Sequence, residues 1–530
     1  MVLVGLLAAE NIAAQNGNFI VPHDSPVHGL LELLLAESGA PPSSAAGPTT
    51  LDEIRISLRQ VDQDRLSEAG RRAYDYLEEL APPVLVTTPA FAGNVSLGVD
   101  FEAYLATAEA SRWIVDYPDR KSLLTVDFEA YAFDAAYGLL HFDLREEQFA
   151  VGRADNSTNW LEDLTYIDAN FPYRALLSVG GPHWNLAIGR DRFSWGRGRS
   201  GQLLLSADAP YHDFFRLTGY WDIFKYTFGV IGFEPWLTTA ELGRGHGDEV
   251  EEYAKNLFLH RFEFVFFERL RFVITEGLMY GKRTPDLTLL NPFLIMHNLY
   301  IWEYASSASS VEIALNPWRN FTLYGQFYMN QLQLQFEIDQ YGADAVPNAT
   351  AWLFGGHGYI PIGPGSLEIG FEGAITDPWL YIREHPLLSF FWRRRVTSNL
   401  LGRPEVVTDS LGYGWGPDSS VVAGWVGYSI APWLDTEIEA TWVRSGPQTL
   451  LTPYAEGPEA AAMRTPTEPT EELFVLTAGA EVTPFPWLEL DLHLSWQSAT
   501  NYLNQVGVTY EDFQAVFGVG FRLDGLIHRP

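Results

Sequence analysis

Through most of the chain, apolar and polar residues alternate one by one. Val95, Leu97, Val99, Phe101, Ala103 and Leu105 are interleaved with Ser96, Gly98, Asp100, Glu102 and Tyr104. Val126, Phe128, Ala130 and Ala132 alternate with Thr125, Asp127, Glu129 and Tyr131, and Leu367, Ile369 and Phe371 with Glu368, Gly370 and Glu372. Successive strand side chains point to opposite faces, so this period predicts strands with one greasy face and one carboxylate-bearing face. A barrel wall between hydrocarbon and water demands that pattern of every strand. The predicted fold class is therefore all-β: an antiparallel transmembrane barrel over residues 95–523. At ~10 residues per strand plus turns and loops, it holds on the order of 16–20 strands. Phe513, Ala515, Phe517, Val519 and Phe521 mark the lipid side of the last strand. A soluble propeller or sandwich is the rival, and it would bury those apolar faces in a dry interior.

Before residue 95 the period is helical, and residues 16–83 are expected to form a small N-terminal periplasmic helical unit. Pro26 precedes Val27-His28-Gly29-Leu30-Leu31 near a first helical position. Thr50-Leu51-Asp52-Glu53 has capping-box spacing. Leu66, Ala69, Ala73, Tyr76, Leu77 and Leu80 recur at helical intervals until Ala81-Pro82-Pro83 stops them. The opening MVLVGLLAAENIAAQNG lacks a basic n-region, and residues 1–15 read as a clipped signal-peptide remnant. Residues 524–530 form a C-terminal tail.

A Pro-Trp pair punctuates the strand runs at Asn316-Pro317-Trp318, Ala431-Pro432-Trp433 and Phe485-Pro486-Trp487. Proline ends ladder pairing and tryptophan suits the headgroup boundary, so these are expected to be short periplasmic turns. The longer acidic or Pro-rich intervals 241–256, 341–350 and 446–472 are the expected extracellular loops.

Composition agrees. The 530 residues include 17 Trp, 25 Tyr, 33 Phe and 46 Gly, which suits strands with a greasy face. There is no cysteine, so disulfides and thiolate metal sites are excluded. A net charge of -33 excludes nucleic acid as a partner. His493-Leu494-Ser495 has the spacing of an outer-membrane phospholipase pair, but alternation puts both residues on the polar face, away from an acyl chain. The twelve histidines show no HExxH and no paired metal spacing, and Gly355-Gly356-His357-Gly358 lacks a strand-to-helix context. No catalytic residue, cofactor or metal is expected, and the chain is not expected to be an enzyme.

Against that acidic background, cations gather in Gly189-Arg190-Asp191-Arg192-Phe193-Ser194-Trp195-Gly196-Arg197-Gly198-Arg199, followed by Leu203-Leu204-Leu205-Ser206. Lumen arginines paired with acids would hold an inward loop or plug in place. Alternatively, Arg190, Arg192, Trp195, Arg197 and Arg199 would form a saccharide- or anion-binding constriction, since guanidinium groups grip carboxylates bidentately and an aromatic face stacks on a sugar ring. A second run, Arg393-Arg394-Arg395 after Phe390-Phe391-Trp392, is expected at a rim as a solvated loop.

The order of Gly189-Arg190, Trp195-Gly196, Gly198 and then Leu203-Leu204 with Ser206, behind an N-terminal helical unit, resembles the capsule-assembly Wzi-like outer-membrane family. The resemblance implies a barrel of about 18 strands with a periplasmic helical bundle, and a surface role in attaching capsular polysaccharide. The expected partners are outer-membrane lipid and, through the resemblance, surface polysaccharide; the chain is expected to act as a monomer. A channel or porin for small solutes is the alternative, suggested by the carboxylate-lined strand faces.

Overall fold

The computed structural model describes residues 16–80, 86–88, 90–133, 135–149, 157–161, 163–168, 172–299, 302–334, 336, 340 and 345–523. The expected signal-peptide remnant at 1–15, the expected helix stop at Ala81-Pro82-Pro83 and the expected tail at 524–530 lie outside the described residues.

Eighteen antiparallel strands close into one barrel, from Phe91–Ala106 to Thr509–Arg522. Closure is made by the first and last of these, with Gln514 opposite Ala106 and Phe521 opposite Val99. The first strand begins at Phe91, a little before the alternation becomes plain at Val95, and a short strand Val86–Thr88 folds back on it. Among the described residues, no helix is long and apolar enough to cross a membrane. The alternation resolves as a wall with two sides. Phe101, Phe128 and Phe517 stand exposed on the outside, whereas Asp100, Glu102, Glu372 and Asp512 are buried inside.

Inside, the expected carboxylates meet cations. Asp100 pairs with Arg522 at 2.9 Å and Glu489 with Lys121 at 2.7 Å. The lumen also has an apolar core, which the alternation does not announce. Ala187, Phe214, Ile231, Leu257, Leu259, Met279 and Leu353 face inward from the wall and pack against loops that fold into the barrel.

The Pro-Trp pairs lie at tight turns, between Ala305–Trp318 and Phe321–Gln331, between Ser419–Ile430 and Leu434–Ser445, and between Glu471–Phe485 and Leu488–Thr500. Three helices, Val27–Ser38, Leu51–Leu58 and Glu68–Glu78, dock at this short-turn end. Thr50 and Glu53 cap the second reciprocally, satisfying two end N–H groups. The Asn320 N–H donates to the Ala36 carbonyl at 2.7 Å, and the Arg319 guanidinium to the Glu37 carbonyl at 2.6 Å. A unit this small buries its leucines by sharing a core with the barrel turns, through Tyr359 and Ala431.

The opposite end carries the long connections. Among them, Phe391–Ser398 and Arg403–Ser410 form a separate two-stranded hairpin. The Arg393-Arg394-Arg395 run expected as a solvated rim loop is instead largely internal. Arg393 is buried and bound bidentately by Glu241 at 2.8 and 3.0 Å; Arg394 is buried against Tyr173; only Arg395 is exposed. The reason is that Phe390 and Trp392, just ahead of it, join the lumen core and draw the arginines in with them.

Candidate functional site: an arginine-clamped plug

The strand Trp184–Asp191 ends at the long-loop rim, and the segment after it turns inward instead of crossing to the neighbouring strand His212–Tyr220 by a tight turn. Just before that end, Gly189 is a tight point of the ladder. Its φ is +143°, and a Cβ there would lie 2.2 Å from the Ala175 carbonyl oxygen, so only glycine fits. Gly196 and Gly201 also have φ near +131°, and a Cβ on Gly198 would strike the Gly201 carbonyl at 1.9 Å.

Arg190 stays at the rim. By register it stands opposite Asp213, on the side of the wall that carries Ile188, and the two join bidentately at 2.7 and 2.8 Å. Its guanidinium lies 3.8 Å over the Tyr211 ring. The strand stops at Asp191, so Arg192 lies beyond the wall ladder. Arg192 donates to the Pro118 carbonyl at 2.7 Å and approaches Asp119 at 3.6 Å.

From there the chain descends. Trp195 is fully buried, its indole N–H donating to the Gly47 carbonyl at 2.9 Å. Its backbone pairs with Leu205 on one side and Ala46 on the other, a miniature ladder between the plug and the N-terminal unit. Packed beside Phe193, it offers no face to an outside ring. Arg197 reaches Glu32 of the first helix at 2.6 Å. Burial acts against the Glu32 carboxylate, yet the Arg197 guanidinium, the Ser43 hydroxyl and His357 together hold the pKa below the ordinary glutamate value. Arg199 crosses to the far wall, pairing with Glu437 and, at 3.3 Å, with Glu439.

Glu372 then collects the turn, accepting from the backbone N–H groups of Arg199 and Ser200 at 2.7 and 2.8 Å and from the Tyr324 hydroxyl at 2.7 Å. The return limb is buried from Leu203 to Ser206. The Leu203 N–H donates to Gln326 at 2.8 Å, its carbonyl accepts from the Tyr381 hydroxyl at 2.6 Å, and the Ser206 N–H donates to the Leu411 carbonyl at 2.8 Å. Each of these four arginines thus has a partner within the chain, and Arg197 and Arg199 fasten the segment to the helical unit and to the far wall.

Several participants carry no local sequence signal. Arg145 lies 4.3 Å over both Tyr117 and Tyr173, and Arg394 lies 5.6 Å over Trp392, a guanidinium–aromatic stack under the long loops. Only tertiary folding juxtaposes these residues. Tertiary folding likewise brings His385 to His246 and Glu249, which are three residues apart in one turn at the long-loop end. His385 is already occupied, its Nε2 3.0 Å from the His246 carbonyl and its Nδ1 accepting the Leu387 N–H at 3.1 Å. Ser495 points into the lumen and donates to Gln514 at 3.3 Å, away from lipid.

Part of the lumen stays wet. Asp435, Glu481 and Asp491 are cross-strand neighbours on the inner wall, and the first two are exposed. A cavity of 250 Å³ also lies between the helical unit and the wall, lined by His28, Glu32, Arg197, Tyr324 and His357.

No protein-family model and no curated protein sequence matches the chain. Among solved structures it is similar to Wzi of Escherichia coli, described as an outer-membrane protein involved in group 1 capsule assembly and a carbohydrate-binding β-barrel. That match has 14% identity, covers 95% of this chain and 99% of Wzi, and has a TM-score of 0.60. It is also similar to OprD of Pseudomonas aeruginosa, at 8% identity over 81% and 94% of the two chains, with a TM-score of 0.40. For the outer-membrane channel DcaP of Acinetobacter baumannii the figures are 10%, 83%, 100% and 0.35. The chain is an eighteen-stranded β-barrel of the outer membrane.

Proposed function

We propose that this protein is a plugged, non-catalytic barrel that holds surface polysaccharide non-covalently at its long-loop mouth, with the helical unit on the periplasmic side. The observation that carries the reading is the inward segment 192–211, clamped to the helical unit and to both walls where an open pore would need water. The similarity in fold to Wzi, described as carbohydrate-binding, supports the glycan. Arg190 and Arg192 are the contacts proposed, since they alone of the five arginines stand at the rim. Local positive charge there would offset the repulsion between an acidic protein and an acidic glycan. Trp195, Arg197 and Arg199 are assigned to holding the plug.

The alternative, a channel for small solutes, is favoured by one feature, the exposed acidic row of Asp435 and Glu481. Two measurements on the purified barrel separate the readings. Plugged attachment predicts little current in a planar bilayer and binding of acidic surface polysaccharide that weakens several-fold in Arg190→Ala/Arg192→Ala. Steady ion flow through wild type would favour the channel, and unaltered glycan binding in the double variant would remove the two arginines from the site.

A further inference from the structure

The connection between the strands Leu270–Gly281 and Ala305–Trp318 does not project away from the rim. It folds back over the outside of the barrel. Leu259, Met279 and Ala308 face the lumen core, so their strand neighbours Phe258, Leu278 and Tyr280 face outward. Those outward residues would be expected to meet lipid, yet all three are buried. Leu289 and Met296 of the connection cover them, with Leu294 and Leu299 packed alongside. Two hydrogen bonds pin the cover to the wall. The Tyr226 hydroxyl donates to the Pro292 carbonyl at 2.6 Å, and the Met296 N–H donates to Glu276 Oε2 at 3.4 Å.

The wall beneath is unusual for a lipid-facing surface. Phe228, His260, Glu276 and Ser309 stand opposite one another in register, so three polar side chains form a row on the outer face. Polar groups facing hydrocarbon without partners cost several kcal/mol each, so such a row needs a cover. The cover itself is uncharged from Leu287 to Met296, Leu-Thr-Leu-Leu-Asn-Pro-Phe-Leu-Ile-Met. Its far side is apolar and open: Leu287 is 81% exposed, Phe293 83%, and Leu290 and Ile295 about half. Ile274 and Ile313, exposed on the same outer wall, extend that surface toward the short-turn end.

We infer that residues 284–299 form an external lid immersed in the membrane hydrocarbon at the long-loop end. It seals the polar row of the wall and presents Leu287, Leu290, Phe293 and Ile295 to acyl chains. The partner is the bilayer itself, because the lid's apolar side is continuous with the lipid-facing wall. The inference is independent of the glycan reading.

The chain has no cysteine, so a single introduced thiol reports one position. Phe293→Cys and, separately, Leu287→Cys are labelled with a polarity-sensitive fluorophore and reconstituted into phosphatidylcholine vesicles. Glu251→Cys, in a neighbouring long loop, serves as the aqueous reference. The lid predicts blue-shifted emission at 293 and 287, with quenching by doxyl-labelled phosphatidylcholine several-fold stronger than at 251. Quenching by aqueous iodide equal to that at 251 would overturn it. So would efficient disulfide formation between unlabelled copies of Phe293→Cys under a mild added oxidant, together with a label at Leu287→Cys screened from doxyl lipid, which would place a second copy of the chain on this surface.

Discussion

At Arg197 and Glu32 a single contact joins two elements that the chain separates by 165 residues. Side chains with little exposure on both partners make this a pair whose rupture strands a charge, unlike an exposed surface pair. The charges of the hairpin have a different consequence. Burial pushes the Asp409 carboxyl up to about 6, Asp116 and Asp208 add to the rise, and Arg394 opposes it. An acid whose pKa is higher folded than unfolded binds more protons when folded, so its contribution to stability declines as pH rises from about 4 to about 6. The expected result is a thermal midpoint in detergent that falls across this window in wild type and is flatter in Asp409→Asn. An identical slope in the variant would exclude Asp409 as the source.

At the level of the element, the plug depends on a strand that can stop and turn. Two residues before that stop, Gly189 is still paired on both sides, with a φ that other residues rarely adopt and with no room for a Cβ. Gly402, in the hairpin turn, also has positive φ, at +66°, but its Cβ would meet open space. Gly402→Ala should therefore cost only the conformational strain, about 1–2 kcal/mol. Gly189→Ala adds a collision with the Ala175 carbonyl and Leu176, and should lower the thermal midpoint distinctly more. Equal losses would show that the backbone at 189 relaxes and that the tight approach to Ala175 is unimportant.

For the whole molecule, closure of the wall and filling of the lumen are separate matters. The hydrogen-bonded ladder is complete around eighteen strands without the inward segment. Excising residues 194–206 with a short glycine-serine replacement should therefore leave heat-modifiable, membrane-inserted barrels whose conductance rises well above wild type. The Arg197→Ala/Arg199→Ala double variant, which unfastens the plug without deleting it, should show the same change in weaker or flickering form. Barrels of wild-type conductance in both cases would mean that the long loops and the helical unit, not segment 192–211, set the permeability.

Alternation alone made the barrel legible, since lipid outside and polar groups inside impose a period of two that needs no knowledge of neighbours. Thr50 with Glu53 and the Pro-Trp pairs were legible for the same reason, because capping and turn chemistry act within a few residues. The cluster from Arg190 to Arg199 stood out as charge, and pairing of lumen arginines with acids was one of its two readings. Which acids they meet was not readable, because Glu32, Glu437 and Glu439 come from a helix and a wall strand far away in the chain. Nor was the burial of Trp195, the inward hairpin of Arg393 and Arg394, or the lid over Phe258 and Leu278. Each depends on a loop folding back across a closed wall, inward or outward, and long-range packing decides that direction where local periodicity has nothing to say.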